Sequence, residues 1–210
     1  MLHAREALRR LQHGNARFVE KQTAGRELTI APPGIELVSG QEPFAIVLGC
    51  SDSRVPAELI FDQGFGDLFV IRVAGNIVAP SQVGSVEFAA SRFGTRLVVV
   101  LGHSQCGAVT AALDELEGRE TPQSGNLRSI VDRVRPAVEG LVSRRGAPVE
   151  REMVLEEAVR SNVRASANHL RHGSELLENL VATAGLLVVG AQYSLTTGEV
   201  DFFDGIPPSH

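Results

Sequence analysis

Four short runs of the chain are apolar almost without a break: Phe44 to Leu48, Leu68 to Ile71, Leu97 to Leu101 and Leu186 to Val189. They are rich in β-branched residues and lack the alternation of a half-exposed strand, so they predict strands covered on both faces. Between them the period becomes helical. Val83, Val86, Ala90 and Phe93 share one helix face, and so do Val109, Ala112, Leu113 and Leu116. A longer stripe of Leu127, Ile130, Val131, Val134, Val138 and Leu141 predicts a helix that Pro136 should kink or split. Leu155, Val159 and Val163 mark a further helix, expected to stop near Arg171-His172-Gly173, with Ser174 capping the next one.

At the N-terminus, Leu8, Leu11 and Phe18 stand at helical spacing and predict a helix that packs against the body or a partner. Tyr193 to Phe203 predicts a strand, a turn at Thr196-Thr197-Gly198 and a short final strand. Gly118 to Asn126 reads as a polar loop, and Pro207-Pro208-Ser209-His210 as a frayed tail. Alternating strands and helices predict an α/β fold: a mainly parallel central β-sheet flanked by helices, with a short C-terminal strand and an N-terminal helical arm. The expected organisation is a single domain over residues 1–210, with the arm over 1–40 and an α/β core over 41–205.

Composition alters this picture little. A chain of 210 residues, 43% hydrophobic and 21% charged, fits a globular domain with a substantial core. The net charge of -5 does not attract a polyanion, and Arg9-Arg10 and Arg144-Arg145 read as solvated helix faces, so nucleic acid is not an expected partner. No stretch is apolar for long enough to cross a bilayer, and the first residues lack the apolar run of a secretory signal. The expectation is a cytoplasmic protein with no membrane partner.

The two cysteines, Cys50 and Cys106, are not expected to form a disulfide in that compartment. Taken alone they would be small buried hydrophobes, but their surroundings point further. The first strand ends in Gly49-Cys50-Ser51-Asp52-Ser53-Arg54, and the third in Gly102-His103-Ser104-Gln105-Cys106-Gly107. In a parallel sheet both clusters lie beyond the carboxyl ends of strands, where ligands gather. Thiolate and imidazole are suitable zinc donors, and three protein donors with a fourth position open is the pattern of a catalytic zinc. Asp52 stands ready to accept a hydrogen bond from a metal-held water, to bind the metal, or to cap a helix starting near Pro56. Arg54 can clamp Asp52 through a charge-assisted fork, or form a surface ion pair.

The runs Cys50 to Arg54 and His103 to Gly107 resemble the two signature motifs of β-class carbonic anhydrases. Gly66 to Asn76 resembles the family's second-strand segment, and Gly84 to Ala89 the following helix. The likeness extends from Leu8 to Asp204 and is most specific from Gln41 to Gly107. It implies a zinc lyase that hydrates carbon dioxide reversibly to bicarbonate and a proton, with zinc-bound hydroxide as nucleophile. By motif, Cys50, His103 and Cys106 would hold Zn2+. Asp52 and Arg54 would be the catalytic dyad, Asp52 becoming a fourth ligand only in a closed state. Gln41 would bind substrate across the dimer interface, Phe69, Ala74 and Phe88 would line the apolar carbon dioxide pocket, and the Gly107 amide would face bicarbonate at a helix N-terminus. A homodimer or dimer of dimers is implied, with active sites at the dimer interface.

The sequence also departs from the family pattern. Val47, Arg72 and Phe88 stand where some bacterial members build an inhibitory bicarbonate pocket from Trp, Arg and Tyr, so that pocket is expected to be absent. Phe88 lacks the hydroxyl of the tyrosine common at its position, and Val73 replaces a frequent Asn. Relatives on the same scaffold hydrolyse carbonyl sulfide or carbon disulfide, which leaves that chemistry as an alternative. A non-catalytic zinc protein is the other alternative, although a purely structural site needs neither Asp52 nor Arg54. No motif singles out a proton shuttle among His3, His13, His169, His172 and His210.

Overall fold

The computed structural model describes residues 2–30, 35–143 and 151–208. The apolar runs form β1 (Ala45–Gly49), β2 (Leu68–Arg72), β3 (Leu97–His103) and β4 (Leu187–Tyr193). These strands are parallel in the order β2-β1-β3-β4, and β5 (Val200–Asp204) adds antiparallel beside β4. Every residue of β1 and β3 is buried, which explains why those runs show no alternation. One expectation needs correction. The run at Leu186 and the strand expected at Tyr193 are a single element, β4. Gly190 interrupts its apolar signal for a packing reason: a Cβ there would lie 2.8 Å from Val163 Cγ1 and 3.0 Å from Asp204 Cβ.

Helices cover both faces. On one lie α1 (Ala4–Thr23) and α2 (Ala57–Ile60), whose Ala7, Leu8, Leu11, Phe18 and Ile60 meet Ala45, Val47, Val99 and Leu101. On the other, α3 (Pro80–Arg92), α6 (Arg151–His172) and α7 (Glu175–Thr183) meet Ile46, Leu48, Val98 and Val100. Odd and even strand residues thus serve opposite layers, as the pleat requires. A third apolar cluster, beneath α4 (Gly107–Leu116) and α5 (Gly125–Ser143), contains Cys50 and Cys106.

Pro136 neither splits α5 nor ends it. Val134 and Val138 remain buried on either side of it, while Pro136 and Asp132 face outward. The Asp132 carbonyl that loses its helical donor therefore has water available. The expected stop of α6 and the Ser174 cap are present, with Ser174 Oγ accepting from Leu177 N at 3.2 Å. Arg9 is a solvated residue paired with Glu6, but Arg10 does more. Its guanidinium bonds Asp67 Oδ1 at 2.7 Å and Gln63 Oε1 at 2.9 Å and lies over the Phe44 ring, fastening α1 to the body. Arg144-Arg145 and the last two residues of the expected tail lie outside the described residues. Among the described residues, no helix is long and apolar enough to cross a membrane.

A second fastening carries a pH prediction. Arg17 Nε and Lys21 Nζ each lie 2.6 Å from the Asp62 carboxylate. Burial pushes that carboxyl up, but the hydrogen bonds from Lys21 and Arg17 outweigh it and hold it below its ordinary value. The native pKa is depressed, so the contribution is full above the unfolded value of about 3.9 and fades as pH falls through the native one. Asp62→Asn is expected to cost less than about 1 kcal/mol at pH 7, because the partners are partly exposed. Urea unfolding of both proteins should show that difference closing as pH falls below the ordinary carboxylate range; a gap that widens on acidification would contradict it.

Candidate metal centre

Cys50 follows the carboxyl end of β1, His103 is the last residue of β3, and Cys106 immediately precedes α4. Their side chains are 6%, 0% and 1% exposed, and one donor atom from each lies within 4.8 Å of the others. The backbone brings them together by a short reversal between His103 and Cys106, where Gln105 takes a left-handed φ of 55°. Ser104 locks that reversal to the sheet. Its N–H donates to Tyr193 O, and its Oγ accepts from Leu195 N, both at 2.9 Å.

The imidazole is oriented too. His103 Nδ1 is 2.9 Å from Ser104 O, a group that only accepts, so Nδ1 carries the proton. Nε2 is left with its lone pair, buried and with no hydrogen-bond partner. A buried, unpaired acceptor beside two sulphurs is what a thiophilic cation would satisfy, and imidazole with two thiolates suits zinc.

The two thiols shift each other in opposite directions. The hydrogen bond with Cys106 lowers the Cys50 pKa to about 4; burial opposes this, while His103 and the Gly75 and Asp52 amides assist. The Gly75 N–H lies 3.4 Å from Cys50 Sγ. Cys106 is pushed up, first by that same bond to Cys50, then by burial and by the charge on Cys50. The Ala108 and Val109 amides at the start of α4 favour its thiolate but do not outweigh these.

Asp52 stands at the mouth. Arg54 grips it as a fork, Nε to Oδ1 at 2.9 Å and Nη2 to Oδ2 at 2.7 Å, and the Arg54 N–H adds a third bond to Oδ1 at 3.0 Å. The Arg54 side chain is the main reason this carboxyl titrates well below the usual carboxylate range. Asp52 Oδ2 lies 3.9 Å from His103 Nε2. Asp52 does not cap α2, whose N-cap is Pro56. Arg72 has a role its sequence position did not suggest: Nε donates to Cys50 O at 3.0 Å and Nη2 to Asp52 O at 2.6 Å. Val47, another of the three residues matched to the inhibitory pocket, is buried inside the sheet.

The expected substrate residues divide into two groups. Ala74 and Gly107 lie beside the cluster and line a cavity of about 480 Å³, with Ala108, Ala111, Leu127 and Ile130. Gln41 precedes the amino end of β1, a full strand away from Cys50, and lines a different groove with Arg92 and Phe93. Phe69 pairs in register with Ile46, also in the amino half of the sheet. It stacks on Phe88 and Phe93 at 6.2 and 6.0 Å, and Phe88 is 54% exposed. One chain therefore does not bring Gln41, Phe69 and Phe88 to its own Cys50, His103 and Cys106.

Known proteins resemble this chain over most of its length. Residues 45–200 match the sequence profile of the carbonic anhydrase family. The chain is 40% identical over 199 residues to a carbonic anhydrase of Mycolicibacterium smegmatis, covering 93% of this chain and 91% of that one. It is 37% identical to carbonic anhydrase 2 of Mycobacterium tuberculosis over 95% of this chain and 93% of the relative. Among solved structures, the β-carbonic anhydrase CafA of Aspergillus fumigatus superposes with a TM-score of 0.73 at 25% identity, covering 96% of this chain and 91% of that one. This chain belongs to the β-carbonic anhydrase family. It is a carbonic anhydrase enzyme, and the Cys50, His103 and Cys106 cluster is compatible with the zinc such an enzyme uses.

Two residues of this β-carbonic anhydrase site were missed in the sequence. Asn162 Nδ2 donates to Gly75 O at 2.8 Å, and Ser166 Oγ to Asn76 O at 3.0 Å, both on the turn whose Gly75 N–H meets Cys50 Sγ. The available signal was two polar residues four apart on the apolar stripe of α6.

Proposed function

We propose that this enzyme hydrates carbon dioxide reversibly to bicarbonate and a proton, with Zn2+ held by Cys50 Sγ, His103 Nε2 and Cys106 Sγ. The observation that carries the reading is the unpartnered His103 lone pair facing two sulphurs, with the Asp52–Arg54 fork at its mouth. Zinc, when bound, supplies Lewis acidity and lowers the pKa of water near neutral pH. Asp52, kept ionised by Arg54, is an acceptor only. It holds a water by its O–H and turns an oxygen lone pair toward the carbon of carbon dioxide. The Gly107 amide, in the first turn of α4, offers a donor to a bicarbonate oxygen. Ala74 gives the apolar substrate a wall without a polar competitor. Both cysteines are free thiols, which suits a reducing compartment such as the cytoplasm.

We take residues 1–210 as one domain because α1 shares an apolar cluster with β1 and β3. We also propose a homodimer or dimer of dimers in which the partner supplies Gln41, Phe69 and Phe88 to the site. Support comes from their distance from this chain's own cluster and from the edge of β2, unpaired among the described residues, beside exposed Phe65 and Phe88. A Sordaria macrospora relative with a TM-score of 0.72, at 25% identity and over 80% of this chain and 84% of its own, is described as tetrameric. Subunit complementation tests this. Gln41→Ala and Cys106→Ser chains, each impaired alone, should regain activity when refolded together, because one mixed site has its metal and its glutamine. No regain, with mixed dimers confirmed by mass, would remove the shared site.

Stopped-flow carbon dioxide hydration by zinc-loaded protein from pH 7 to 9 tests the function. Fast hydration that rises with pH supports it. Bound zinc with no rate above background would turn the reading to carbonyl sulfide or carbon disulfide hydrolysis.

A further inference from the structure

Helix α6 carries two polar residues on a face that is otherwise apolar. Asn162 and Ser166 are 2% and 5% exposed and stand among Val159, Val163, Ala167 and Leu170, none more than 1% exposed. Burying an amide and a hydroxyl there is unfavourable unless both are hydrogen-bonded. Both bonds go to one three-residue turn, Ala74 to Asn76: Asn162 Nδ2 to Gly75 O at 2.8 Å and Ser166 Oγ to Asn76 O at 3.0 Å. In that turn two successive residues are left-handed, Gly75 at φ 71° and Asn76 at φ 43°. Its Gly75 N–H is the group that donates to Cys50 Sγ.

The two grips fall on the peptide planes immediately after the one that meets the sulphur. With those planes held, the Gly75 N–H has little freedom to swing away. The opposite side is also closed, because a Cβ on Gly75 would lie 2.9 Å from Ala108 Cβ in the first turn of α4. The sheet admits α6 this closely because of another glycine. A Cβ on Gly102, the residue before His103, would come 2.5 Å from Val163 Cγ2. Helix position, turn conformation and sulphur hydrogen bond thus form one connected arrangement.

We propose that Asn162 and Ser166 are positioning residues that hold the Ala74 to Asn76 turn so that its Gly75 amide stays on the Cys50 sulphur. This rests on reading Cys50 as a metal ligand. An N–H on a ligating sulphur withdraws charge from it, so the sulphur donates less to the metal and the metal remains a stronger Lewis acid; partners of this kind tune affinity and reactivity.

The test compares the unaltered protein with Asn162→Ala, Ser166→Ala and Ser166→Thr, each loaded separately with Co2+ and with Zn2+. Asn162→Ala should move the thiolate-to-cobalt charge-transfer band to longer wavelength. It should also release zinc to a chelator about tenfold faster, because a thiolate without its N–H donor is more basic and is more readily protonated off the metal, and it should raise the midpoint of the pH–rate profile. Ser166→Ala should move all three the same way by less. Ser166→Thr keeps the hydroxyl, has room for its methyl in the adjoining cavity lined by Ala165 and His169, and should restore the original values. A lower melting temperature with band, release rate and midpoint unchanged would overturn the proposal. If Asn162→Ala does not fold, the Ser166 pair decides by the same criterion. A cobalt protein with no thiolate band before any substitution would instead overturn the metal reading beneath it.

Discussion

Replacing His103 by alanine is expected to strip the enzyme of zinc and to lower carbon dioxide hydration by about 10³-fold or more, with the fold retained. The metal's Lewis acidity is worth several kcal/mol of transition-state stabilisation, and about 1.4 kcal/mol makes one decade in rate. Two sulphurs alone leave the cation under-coordinated, so the loss is of the metal itself. The fold should survive because the His103 side chain makes one local hydrogen bond, to Ser104 O, and its pairing with Tyr193 belongs to the backbone. Cys106→Ser should act in the same direction, since a hydroxyl of similar size replaces the thiolate donor. Metal content after dialysis, circular dichroism and stopped-flow rates on the same preparations check this. One equivalent of zinc and an unaltered rate in His103→Ala would remove His103 from the ligand set.

These two residues were legible in the sequence because a motif at the end of a buried parallel strand must point at the ligand end of the sheet. The run Leu97 to Leu101 announces such a strand by having no polar alternation, and His103 and Cys106 follow at its carboxyl end. Local pattern served less well where the controlling contact is distant. Asn162 and Ser166 carry no local sign of their role because their partners, Gly75 O and Asn76 O, are 87 and 90 residues away. Arg72 looked like the remnant of a lost pocket, whereas backbone carbonyls, which carry no sequence signal, decide its position. Pro136 misled in the other direction. Its local rule predicts a kink or a split, and the helix is not split: the freed carbonyl faces water and the buried valines on both sides hold the helix through it. Phe69 and Phe88 show a third limit, since one chain does not bring them to its own Cys50, His103 and Cys106.

Asp52→Asn should separate catalysis from structure at this site: kcat/KM falls by about 10²–10³-fold with zinc content and folding essentially intact. Asparagine keeps the volume and one carbonyl oxygen for Arg54, but its NH2 then opposes an Arg54 N–H, donor against donor, and the fork is lost. A group that only accepts becomes one that also donates, so it no longer fixes the direction of a water O–H. Stability should change little, because the Arg54 side chain is 52% exposed and such pairs contribute little to folding. The pH dependence sharpens the test. Held first by the Arg54 side chain, the Asp52 carboxyl has a depressed native pKa. Its contribution to stability is therefore full above the unfolded value of about 3.9 and is lost only as pH falls through the native one. From pH 6 to 9 it stays ionised, and the rising limb of the rate profile belongs to another group. Asp52→Asn should accordingly lower the whole profile and keep its rising limb. Arg54→Lys, with a point charge in place of a fork, should fall between the two. A rate equal to that of the unaltered enzyme in Asp52→Asn would sink the orienting role, and loss of the rising limb would make Asp52 the titrating group after all.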